Sequence, residues 1–119
     1  MKIRHNFGII FFSILMLLGI SQQALASEDS ENIAIADQKV ILEQYEEAKE
    51  IYQDIIASSE PSVIVAYAHY KLGSLYKRQN DQGKAKQEYK KGLVTLKDSG
   101  QSNHQIAKHL SSALTNFDW

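Results

Sequence analysis

The chain carries four histidines and no cysteine among its 119 residues. Thiol nucleophiles, disulfides and cysteine-bound metals are therefore outside its chemistry. His104 and His109 are five apart, which sets them about 140° apart around a helix, so they do not share a metal. His69 lies in the apolar stretch Ala66–Tyr76 and reads as a packing or groove residue. Ser62, Ser74, Ser99 and Ser102 have no histidine and acid beside them at a recognisable spacing for nucleophilic catalysis. Glu46-Glu47 reads as a solvated helix face rather than an acid–base pair. The glycines are isolated, so no phosphate-cradling loop is present. These residues predict no enzyme, no catalytic set, no metal and no cofactor.

The N-terminus points to a compartment. Lys2, Arg4 and His5 are followed by an apolar or small-residue run, Phe7–Ile20, then by Ser21-Gln22-Gln23 and the small-x-small triplet Ala24-Leu25-Ala26. This order predicts a signal peptide over 1–26, cleaved after Ala26. The run is shorter than the about 20 residues of a membrane span, so membrane contact is expected only before cleavage. The mature chain, 27–119, is expected in the periplasm, with secretion as the alternative. It would hold 11 basic and 14 acidic residues, a net −3. Ser27–Glu60 has 10 acidic and 2 basic residues; Pro61–Trp119 has 4 acidic and 9 basic. Neither half is basic enough to predict nucleic acid as a partner.

The elements that would carry any site are all helical, and the spacing predicts an all-α domain. Ser27–Glu31 reads as a frayed start, followed by a helix over Asn32–Leu42 and a weakly signalled turn at Glu43-Gln44. The next helix, Tyr45–Ser58, has the inner stripe Tyr45, Ala48, Tyr52, Ile55 and Ile56. Pro61 is expected in the first turn of a helix over about Ser62–Arg78. Asn80 should stop that helix in the left-handed region, and Asp81 should cap the next, over Gln82–Lys97. Its stripe is Ala85, Tyr89, Gly92, Leu93 and Leu96. Gly100 is expected as terminator. Ser102 with Gln105 resembles a capping box for a last helix, 102–117, with the stripe Ile106, Leu110, Ala113, Leu114 and Phe117. Gly73 in mid-helix costs about 1 kcal/mol against Ala, which implies a second helix packed closely against it.

Ala48, Tyr52 and Ile56 overlay Ala85, Tyr89 and Leu93 with a shift of 37. A helix-turn-helix unit that recurs this way signals a helical solenoid. Ala66–Ser99 resembles a tetratricopeptide repeat, on His69, Leu72-Gly73, Tyr76, Ala85, Tyr89 and Gly92. His69 and Gly92 depart from the large residue and the Ala of that pattern, and Lys97 stands near its closing Pro. The earlier unit matches at Glu47-Ala48 and Tyr52, with Ile35-Ala36 in the Leu-Gly place and Lys39 in the Tyr place. Ser58–Pro61 would hold the extra residues. The resemblance implies repeat 1 over 29–60, repeat 2 over 62–99, and a C-terminal helix over 102–117 as a cap or the start of a third unit.

The resemblance also implies a concave groove lined by the first helix of each unit. In the second unit that face is Tyr67, Tyr70, Ser74, Lys77 and Arg78; in the first it is Ser30, Ile33, Asp37, Val40 and Ile41. Two aromatics and two cations suit a peptide or protein partner carrying an acidic group. The carboxylate-gripping version of such grooves has Lys and Asn where this chain has Tyr70 and Ser74, so that specificity does not carry over. The expected function is an exported protein–protein interaction module. The alternative is a structural, self-associating subunit of an envelope assembly. A short array leaves its ends open, and the acidic end could meet the basic end.

Overall fold

The computed structural model describes residues 22–117, with side chains from residue 28. The predicted leader over 1–26 lies outside these residues except for the backbone from 22, and Asp118-Trp119 lies outside them too. The described residues form five α-helices and no strand: α1 Gln22–Ile41, α2 Tyr45–Ser58, α3 Val63–Arg78, α4 Gln82–Asp98 and α5 Gln105–Thr115. The all-α expectation holds.

Ser27–Glu31 is helical, not frayed. One tie is long-range: Ser59 Oγ donates to Asp29 Oδ2 at 2.7 Å, pinning the early turns of α1 to the end of α2. The α1–α2 turn is built on Glu43, a non-glycine residue with φ 61°. Glu43 N–H donates to Val40 O and Gln44 N–H to Lys39 O, the paired bonds of a Schellman stop. The same pair recurs at Asn80 (φ 63°) and Gly100 (φ 72°), as expected for those two residues. Asp81 caps α4 through the backbone N–H of Lys84 at 3.1 Å.

Two predicted starts shift. Pro61 is outside α3, because Ser62 takes the N-cap and accepts from Val65 N–H at 3.2 Å. Ser102 does not cap α5. Residues 101–104 close a turn, with His104 N–H donating to Gln101 O, so the helix begins only at Gln105. His104 caps it instead, its Nδ1 accepting from Ile106 N–H at 3.2 Å.

The central wall is α3, which touches each of the other four helices. Among the described residues, α1 meets α2 and α3, α5 meets α4 and α3, and α2 does not meet α4. Two cores lie on the two sides of α3. Ala36, Ala48, Tyr52 and Ile55 pack with Val65, Ala68, Leu72 and Leu75 in one. Ala66 packs with Ala85, Tyr89, Leu96, Ile106, Leu110 and Phe117 in the other, and Tyr76 borders both.

Gly73 has the tight contact its position implies. A β-carbon there would fall 2.7 Å from Tyr89 Cε1 and 3.2 Å from the Ala85 carbonyl oxygen. At Gly92 one would fall 2.9 Å from a Leu110 methyl and 3.3 Å from the Ala66 carbonyl oxygen. The second glycine, a departure from the repeat pattern, is thus where α3 and α5 both crowd onto α4.

Candidate functional site

The five groove residues on α3 share a helix face but point to three different neighbours. Tyr67 turns to α1, where its hydroxyl donates to Asp37 Oδ2 at 3.1 Å. Arg78 turns to α2. Its Nη1 donates to the Tyr45 hydroxyl at 3.2 Å, and its guanidinium lies 5.4 Å from the centre of that ring. Tyr70, Ser74 and Lys77 face α5. Together with Tyr89, His109, Ser112, Ala113 and Asn116 they line an open cleft of about 270 Å³. The Tyr70 ring stacks on His109, with centroids 6.0 Å apart and planes within 10°.

The Tyr67 side carries a polar cluster that bridges the helices. Tyr52 and Tyr67 both donate their hydroxyls to the Asp37 carboxylate. Lys71 Nζ lies 3.7 Å from Asp37 Oδ1 and 5.8 Å from the centre of the Tyr67 ring. Burial, then the Asp37 charge, pushes the Tyr67 phenol up to about 12. The same causes raise Tyr52 further. The cluster ties α1 to α2 and α3 through the one carboxylate.

The Tyr70 side is left open and, among the described residues, carries no acid. Ser74 Oγ donates back to the Tyr70 carbonyl at 3.0 Å and shares a 3.2 Å hydrogen bond with the Tyr89 hydroxyl. Burial raises the Tyr89 phenol, partly offset by that bond. At the mouth, Lys77 and Lys86 place their ammonium groups 5.3 and 5.2 Å from the centre of the Phe117 ring. Phe117 is itself buried, so the ring is a fixed base for both cations. Among the described residues the lining combines aromatic faces, hydroxyls, an amide, an imidazole and a cation, with no carboxylate.

His69 is buried between α3 and α4, its Nδ1 2.7 Å from Glu88 Oε2. Lys91 Nζ lies 3.6 Å from the other Glu88 oxygen. The imidazole is a packing residue with a polar partner and does not open onto the cleft. Among the described residues no three His, Cys, Asp or Glu side chains are grouped as a metal site would require. No helix of the described residues is long and apolar enough to cross a membrane.

Sequence reasoning did not single out His109, Ser112 and Asn116 as groove residues. Their spacing, i, i+3, i+7, borders the buried stripe of α5, and that was the available signal. It pointed outward only once the packing partner of α5 was known. Comparison with family models, with curated proteins and with solved structures gave no match.

Proposed function

We propose that this chain is an exported protein–protein interaction module of tetratricopeptide-like repeats, which grips an acidic peptide segment in the cleft between α3 and α5. The observation that carries the reading is the cleft itself. Tyr70, Ser74 and Lys77 line it with His109 and Asn116, and among the described residues no acidic side chain shares the lining. A carboxylate entering there finds Lys77 as a charge partner, hydroxyl and amide groups as hydrogen-bond donors, and the Tyr70 ring as an apolar floor.

The repeat assignment draws support from side-chain contacts as well as spacing. Tyr52 meets Asp37 and Tyr89 meets Ser74, and both members of the pair shift by 37 residues. The pattern of helix neighbours is also that of stacked hairpins, in which first helices touch one another. Export rests on the leader pattern of residues 1–26. The alternative, a self-associating envelope subunit, is favoured by a separate observation, the exposed apolar face of α1.

A photo-crosslinking residue at Ser112 should capture a protein adduct in intact cells, whereas one at Glu50 on the outer face of α2 should not. The adduct should disappear when Y70A and K77E are combined, with helicity unchanged. Equal capture from both sites, or capture that survives the double variant, would refute the cleft as the binding site.

A further inference from the structure

The outer face of α1 is apolar, and no described residue covers it. Ile35, Ile41 and Leu42 are 50%, 72% and 56% exposed, and Ala34 and Gln38 beside them are also exposed. Leu42 follows the last helical residue but keeps the ladder, its N–H donating to Gln38 O at 3.0 Å. The five residues are symmetric about Gln38: Ala34 and Ile35 stand four and three positions before it, Ile41 and Leu42 three and four after. A face with that spacing is self-complementary under a two-fold axis through Gln38, which is the condition for an isologous contact. From this we infer that α1 pairs antiparallel with α1 of a second copy, setting Ile35 against Ile41 and Ala34 against Leu42 across the axis.

The rest of the surface argues for this occupant. The only other large apolar side chain exposed among the described residues is Val94, at 56%. The outer positions of α5, Lys108, His109, Ser111, Ser112 and Thr115, are polar. A head-to-tail contact would therefore bury an apolar face against a polar one, and the apolar complement of the α1 face is the same face on another copy. Charge selects the direction. Glu28 and Glu31 are exposed on the N-terminal extension of the stripe. A parallel pair would press each against its own copy. The antiparallel pair sets the two Glu31 positions about 21 Å apart along the helix at 1.5 Å per residue, beyond the Debye length of about 8 Å.

The area sets the strength. Three such side chains expose on the order of 300 Å², the size of the largest patch on an ordinary monomer. Two copies bury on the order of 600 Å² through them, below the about 1,200 Å² of a stable complex. The dimer is a weak, exchanging one, and it does not depend on the peptide cleft.

The test uses protein purified from cells that make the whole chain. Sedimentation should show a concentration-dependent monomer–dimer equilibrium that is kept at high salt. I35K and I41E should each weaken it about tenfold or more, the equivalent of one to two buried contacts. The double variant I35K/I41E sets a cation opposite an anion twice and should restore it. Because the chain has no cysteine, Q38C should form an intermolecular disulfide under mild oxidation while S112C does not. A monomer at every concentration overturns the inference, as does association lost at high salt, which would favour contact between the acidic and basic ends. A double variant no better than the single ones overturns the register. Circular dichroism separates these outcomes from unfolding, since all four positions are exposed.

Discussion

Tyr52 and Tyr89 stand 37 residues apart, each buried at the same point of its own helical hairpin, yet their hydroxyls meet different chemistry. Tyr52 meets a carboxylate, Asp37. Tyr89 meets a hydroxyl, Ser74. The consequences spread along the inner face of α3. A carboxylate can accept several donors at once, so Asp37 also draws in Tyr67 and Lys71 and ties α1 to α3. A serine has one proton, and Ser74 spends it on its neighbours in the fold. Tyr70 and Lys77 then remain at the edge of an open cleft. The residue type at these two positions, Asp37 or Ser74, decides which half of the face is tied across to α1 and which stays open beside α5.

The strongest way to break this comparison is to remove the two acceptors in turn. D37A leaves two tyrosine hydroxyls and a lysine without their partner and should cost about 3 kcal/mol, against about 1 kcal/mol for S74A. Urea unfolding with an unchanged slope measures both; equal costs would mean that Asp37 is not a hub. A second comparison concerns the small residues ahead of the two acceptors. Ala36 fits beside its core, whereas a β-carbon at Gly73 falls within 2.7 Å of Tyr89. G73A should cost about 2 kcal/mol through overpacking, and A36G about 1 kcal/mol through lost helix propensity. The order would reverse if the Tyr89 ring could retreat.

The mildest test is alkaline pH. The native phenol of Tyr67 lies near 12 and that of Tyr52 higher, against about 10 when unfolded. The folded state therefore holds protons that the unfolded state has released. The stability this contributes is complete below pH 10 and falls as pH rises through about 12. In D37A the fall should be shallower, because one of the two causes of the shift is gone. A fall of equal steepness in both proteins would assign the shift to burial alone.

Much of the architecture was legible residue by residue. The stripes of α2 and α4, the left-handed stops at Asn80 and Gly100 and the Asp81 cap are short-range features, set by periodicity and by single side chains bonding to nearby backbone. The small-residue requirement at Gly73 was legible as well, from the cost of a glycine in mid-helix. The stop at Glu43 was not, because nothing in glutamate's own preferences marks the left-handed region and the surrounding carbonyls supply the reason. Nor was the His104 cap, since the turn that displaces Ser102 uses a backbone bond that no residue type announces.

The sequence by itself determined that there are helices over these stretches, though not where α1, α3 and α5 begin. It also determined the inward stripes of α2 and α4, and that Tyr67, Tyr70, Ser74, Lys77 and Arg78 share one side of α3. The tertiary structure alone decided what each of the five faces: Asp37 for Tyr67, Tyr45 for Arg78, and the cleft beside α5 for the other three. Helical periodicity is local and repeats every few residues. The partners are 15 positions away for Ser74 and Tyr89 and about 30 or more for the others, and only the packing of whole helices brings them within reach.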